Sequence, residues 1–164
     1  MDIPGFDIRF SELDDIAYVS SWLSYPNACD DFPFTPDEQE DALKNWLGFS
    51  KFKASLTGLF EGTPCAVGTL FLMPYKKVSH HCSFYLIVDP AHRRKGIGTS
   101  MVKNLLHLAR TRFKLESMHA ELFLPCSLEG VLGNLNFKPF AKQDDFVKIG
   151  DLLRPRLLME HFFV

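Results

Sequence analysis

The chain is short of the features that mark a membrane protein, a disulfide scaffold or a metal protein. No apolar run in its 164 residues approaches the roughly 20 needed to cross a bilayer, so no membrane partner is expected. Its four cysteines (Cys29, Cys65, Cys82 and Cys126) lie far apart, without the paired spacing of metal sites. They read as reduced thiols of a cytoplasmic protein, Cys65 and Cys82 as buried strand residues, and no metal is expected. The N-terminus, Met-Asp-Ile-Pro-Gly, has neither a basic start nor an apolar core, so no secretory signal is expected. Internal repeats, low-complexity segments and linkers are also missing. Length and a hydrophobic content of 46% therefore suit one domain over residues 1–164.

One stretch has no acidic residue. From His92 to Lys114 there are seven Lys or Arg and no Asp or Glu. The net charge of -2 conceals this, because residues 1–50 hold eleven acidic residues against Arg9 and Lys44 alone. Two ligands of opposite charge could dock on the two halves, although helix capping accounts for part of the acidic excess. Nucleic acid is not expected as a partner: residues 92–114 offer only Phe113 as a stacking ring, and the overall charge is negative.

The basic stretch sits inside an organised unit. Phe84 to Val88 is an apolar run short enough for a buried strand, and Asp89-Pro90 ends it with a turn signal. Val102, Leu105, Leu106, Ala109 and Phe113 recur at helical spacing, with Lys103, Asn104, His107 and Arg110 on the other face. Between them lies Arg93-Arg94-Lys95-Gly96-Ile97-Gly98-Thr99. Two glycines allow close approach of the backbone, and the free N–H groups of a helix start suit a phosphate. A Walker loop is excluded, since no Gly-Lys-Ser/Thr is present, and a dinucleotide fingerprint lacks its third glycine. What remains is Arg-x-x-Gly-x-Gly directly after a strand ending Val-Asp-Pro.

The rest of the chain alternates strands and helices. Phe6–Phe10 reads as a strand, with Ser11 as the cap of a first helix that ends before Tyr25-Pro26-Asn27. Thr35-Pro36-Asp37-Glu38 starts a second helix that stops at Gly48. Residues 56–60 and 65–73 form a hairpin, 79–88 is the strand entering the loop, and 118–124 is another strand. A short helix capped by Ser127 and two closing strands, 137–149 and 157–164, complete the chain. The order is β–αα–βββ–α–β–α–ββ.

With its flanking strand and helix, the loop resembles the pyrophosphate loop of the GNAT superfamily, the acyl-CoA-dependent N-acetyltransferases. The resemblance covers nearly the whole chain. It implies an α+β fold, a mixed central β-sheet flanked by helices, with acetyl-CoA between two central strands. Leu86, Ile87 and Val88 would pair with the pantetheine arm, and Arg93, Arg94, Lys95, Gly96, Ile97, Gly98 and Thr99 would hold the phosphates. The implied reaction is direct attack of a primary amine on the thioester within a ternary complex. The acceptor would be a small-molecule or protein amine beside the segment joining the first two helices. There Asp30, Asp31, Phe32 and Phe34 suit a cation. The closing strands of such a fold would be free to pair in a homodimer.

The family's acid and base are missing from their usual places. Positions often held by Glu or His carry Cys82 and Phe84, which leaves His80 and Cys82 as catalytic candidates. Aligned on Phe137, the position of the family's acidic Tyr holds Leu132, and its Gly position holds Asn136. The Asn that often opens this helix is replaced near Pro125, Cys126 and Ser127. The alternative reading is a non-enzymatic acyl-CoA-binding or regulatory module with a degenerate site.

Overall fold

Alternation of apolar residues in seven strands builds one sheet with a core on each face. The computed structural model describes residues 2–163. Met1 and Val164, the two ends of the expected domain, and with Val164 the last residue of the expected closing strand, lie outside the described residues.

In chain order the elements are β1 (Phe6–Phe10), α1 (Ile16–Leu23), α2 (Gln39–Gly48), β2 (Ser55–Phe60), β3 (Thr63–Leu72) and β4 (His81–Val88). Then follow α3 (Ile97–Thr111), β5 (Ser117–Phe123), α4 (Leu128–Asn134), β6 (Lys138–Ile149) and β7 (Leu152–Phe162). The expected α+β order holds. The strands lie in the order β1-β2-β3-β4-β5-β7-β6. Only β4 and β5 are parallel; the other neighbours are antiparallel, so the sheet is mixed. Glu61 and Gly62, both at positive φ, close the β2–β3 hairpin as a two-residue turn that follows strand twist.

Helix α3 covers one face with Val102, Leu105 and Ala109, against Cys82 and Phe84 of β4 and Met118 and Ala120 of β5. Gly68 of β3 lets it sit close, since a Cβ there would lie 2.7 Å from Leu105 Cδ1. Leu105 is fully buried, so Leu105→Ala would cost about 2–5 kcal/mol. The other face packs Val67 and Ile87 beneath Val19 and Trp22 of α1 and Leu43 and Trp46 of α2.

The sheet is interrupted where it matters most. Strands β4 and β5 pair only at His81↔Ser117, Cys82↔Met118 and Ser83↔His119, and beyond that they part. The edge of Phe84–Val88 that faces β5 therefore has no strand partner.

Ser127, expected to cap α4, makes no side-chain cap hydrogen bond there, and three further expectations need correction. Ser11 does not cap α1: Glu12 precedes the first turn and its N–H donates to Asp15 Oδ2 at 2.9 Å. The Ser11 hydroxyl instead lies 2.8 Å from each of the Thr57 and Ser55 hydroxyls in a buried polar chain. A 3-10 turn at Lys76–Val78 delays β4 until His81, so His80 is not a strand residue. Finally, β7 begins at Leu152 rather than Leu157. Pro155 can continue it because β6 bulges opposite, between Gln143 and Val147, where Asp145 takes a positive φ.

Candidate active site

The β4–α3 junction is shaped by two left-handed residues. Asp89 Oδ1 accepts the Ala91 N–H at 3.0 Å and so turns the chain out of β4. Arg94 (φ 65°) and Gly96 (φ 83°) then bring it back to start α3 at Ile97. The Ser100 N–H reaches the Gly96 carbonyl at 3.1 Å, so the Ile97, Gly98 and Thr99 N–H groups precede the first bond of the helix. These three residues, with Arg93 and Arg94, line a cavity of about 450 Å³ whose far wall is Ser127, Leu128 and Val131. A Cβ on Gly98 would meet only Val88 Cγ2, at 4.0 Å, so the space beside it is the cavity itself. Unpaired N–H groups, the positive helix end and two guanidinium groups make this a cradle for a polyanion.

A cleft leads away from the cradle. Leu86 and Leu128 are shared between the cradle and a narrow gap where β4 and β5 part. Asp31 and Phe32 roof this gap, and Tyr85, Glu121 and Cys126 also line it. Phe84, Tyr85 and Glu121 in turn line a larger cavity of about 820 Å³, which Asn45 of α2 also borders. The cradle, this gap of about 40 Å³ and the larger cavity thus follow one another along β4, sharing lining residues at each step.

The larger cavity holds the ionisable groups that sequence reasoning passed over. Strand alternation places His81, Ser83 and Tyr85 of β4 beside Ser117, His119 and Glu121 of β5. Arg156 and Glu160 reach in from β7, and Arg156 Nη1 donates to Glu121 Oε2 at 2.8 Å. The His81 and His119 rings lie 5.4 Å apart. Burial, then the neighbouring His81, hold the His119 imidazole below its ordinary value despite the opposing charge of Glu121. Burial, then Glu121, raise the Tyr85 phenol, which stays protonated. The sequence carries a signal for them: polar residues at every second position, His-x-Ser-x-Tyr in β4 and Ser-x-His-x-Glu in β5.

The expected site residues are divided among these features. Arg93, Arg94, Gly96, Ile97, Gly98 and Thr99 meet at the cradle with Leu86 and Val88. Lys95 is turned aside, its Nζ 4.4 Å from the centre of the Phe60 ring, and Ile87 faces the opposite core. Cys82 lies wholly buried under α3, and burial pushes its thiol up to about 12, which removes it as a proton acceptor. His80 lines the larger cavity from the loop before β4, its ring 4.9 Å from that of His81. Leu132, on α4, is fully buried in the core.

The acidic segment splits in two. Asp31 borders the cleft, Asp30 and Phe34 line a second cavity of about 560 Å³ against the β6–β7 turn, and Phe32 lies between the two. Phe32 stacks on Phe34 and meets Trp46 and Tyr85 edgewise or tilted, so it is part of the packing. Asp31 lies 3.5 Å from Arg154 Nη2, and burial raises its carboxyl despite that partner. Among the described residues, no group of three His, Cys, Asp or Glu is placed to hold a metal ion.

Known proteins share this fold. The family model for the acetyltransferase (GNAT) family matches residues 18–125, from α1 through the cradle to the end of β5. No curated protein sequence matches the chain. Among solved structures, the yncA protein of Salmonella typhimurium with its cofactor acetyl-CoA superposes with a TM-score of 0.81 at 16% identity, covering 96% of this chain and 94% of that one. The ribosomal-protein-alanine N-acetyltransferase of Brucella melitensis gives 0.78 at 16%, covering 96% and 99%. An N-acetyltransferase of Staphylococcus aureus gives 0.76 at 14%, covering 96% and 98%. At such identities the likeness is one of fold.

Proposed function

The chain belongs to the acetyltransferase (GNAT) family, and on that footing we propose that it is an acetyl-CoA-dependent N-acetyltransferase acting on a primary, cationic amine. The observation that carries this reading is the succession, along the unpaired edge of β4, of the Arg93–Thr99 cradle, the gap between β4 and β5, and a cavity of ionisable groups. The residues fit the cofactor. The Ile97, Gly98 and Thr99 N–H groups suit its pyrophosphate, and the open space beside Gly98 is where a phosphate could approach the backbone. Arg93 and Arg94 suit further phosphate oxygens. The free backbone edge of Phe84–Val88 suits the amide groups of the pantetheine arm, in the manner of an added strand.

When bound, acetyl-CoA supplies a thioester carbonyl open to attack by nitrogen. The chain's own residues hold that carbonyl and the amine together, and positioning of this kind supplies much of the rate. A protonated amine cannot attack, so a proton must leave it first. Glu121 and Glu160 in the cavity, two carboxylates against the one guanidinium of Arg156, favour a cation as the acceptor.

A non-enzymatic acyl-CoA-binding module is favoured by one observation: apolar, buried Leu132 stands where the family's acidic Tyr is expected. Binding and turnover separate the two readings. The N-acetyltransferase should be stabilised by acetyl-CoA, by about 2.7 kcal/mol at 100 times the dissociation constant, and should modify amines in a panel. A stabilised protein that modifies none is the binding module.

A further inference from the structure

Ser83↔His119 is the last residue pair joining β4 to β5, so His119 stands just before the two strands part and lines the larger cavity there. Charged and ionisable groups reach it from β4, β5 and β7. Glu160 of β7 is its cross-strand partner, and Glu121 lies two residues along on the same face, paired with Arg156. His81 faces it from β4, and His80 and Tyr85 complete the ionisable lining. His81 Nδ1 is buried with no hydrogen-bond partner, so this imidazole pair is not tied into a structural network.

Resting on the N-acetyltransferase reading, we propose that His119 is the proton acceptor for the amine, which enters as an ammonium through the cavity formed by His81, His119 and Glu121. The carboxylates of Glu121 and Glu160 attract the ammonium, and the neutral His119 ring takes one of its protons. The freed nitrogen lone pair forms the C–N bond at the thioester carbon. The C–S bond breaks, sulfur keeps its electron pair, and the second proton lost by nitrogen ends on that sulfur. His119 returns its proton to solvent. The depressed basicity of His119, set first by burial and next by His81, keeps the ring unprotonated at neutral pH and ready for this step.

The test compares two probes on the full chain with acetyl-CoA: spermidine, protonated at neutral pH, and O-benzylhydroxylamine, which is not. His119→Ala should lower kcat/KM for spermidine about 100-fold and for O-benzylhydroxylamine less than about threefold. His119→Gln should behave alike, with the thermal shift by acetyl-CoA unchanged in both. Equal losses on the two probes, or none, would overturn the proposal. Independently of turnover, the His119 ring followed by NMR in the protein alone should titrate below 6.5 and move upward in His81→Ala. A midpoint above 6.5 would also overturn it. Loss of the acetyl-CoA thermal shift in the wild type would instead defeat the N-acetyltransferase reading itself.

Discussion

Arg154 Nη1 donates to the Asp30 carbonyl at 3.1 Å, joining β7 to the connection between α1 and α2 across 124 positions of sequence. The same guanidinium donates to the carbonyls of Phe123, Leu124 and Pro125 at the end of β5. One buried side chain thereby fixes the roof of the cleft relative to its floor. Removing it leaves several carbonyls without partners, so Arg154→Ala should destabilise the fold by about 3 kcal/mol. Arg154→Lys should recover only part of this, because an ammonium cannot reproduce the planar fork. Denaturant melts of the three proteins check both statements.

Gly98→Val separates binding from folding. A Cβ at this position meets nothing closer than 4.0 Å in the protein, so the melting temperature without ligand should fall only by the small cost of a β-branched residue in a helix. The branched side chain would fill the cradle, and the stabilisation by acetyl-CoA should vanish. Gly96→Ala should differ, since φ there is 83° and a Cβ costs about 1–2 kcal/mol before any ligand is added.

Asp15 should make stability depend on pH. Burial alone would raise its carboxyl, but the Arg9 guanidinium, the Glu12 N–H and the Thr57 hydroxyl together bring it below 3.8. A folded value below the unfolded one means that the stabilisation is present above pH 3.8 and is lost as pH falls through the folded value. Asp15→Asn should therefore cost about 1.5–3 kcal/mol at pH 7 and markedly less at pH 3. Paired melts at the two pH values measure the difference.

The two residues that the sequence offered for catalysis should matter little. Cys82 is buried with a thiol near 12, and His80 lies in the loop outside β4. Cys82→Ala and His80→Ala should each change kcat/KM by less than about threefold, against the much larger loss for His119→Ala. Steady-state kinetics with spermidine decides.

What the sequence made legible was local. The β4–loop–α3 unit could be read from its glycines, its charges and its helical periodicity, because each signal lies within about 30 residues of chain. The hairpin turn at Glu61-Gly62 and the Thr35 start of the second helix were legible for the same reason. Ser11 was misread because its partners, Ser55 and Thr57, lie more than forty positions away and are brought near only by the sheet. The early start of β7 depends on a bulge in β6 that no pattern in β7 announces. His119 and Glu121 were readable in principle. Their alternation was visible, but their role appears only when β5 stands beside β4 and the two strands part.

The account rests most on transfer of an acetyl group to nitrogen. Mass spectrometry of a mixture of amines, incubated with acetyl-CoA and either the wild type or Gly98→Val, tests this directly. The wild type should add an acetyl group to one or more cationic primary amines, and Gly98→Val should add none. A wild-type protein that binds acetyl-CoA and leaves every amine unmodified would contradict the account.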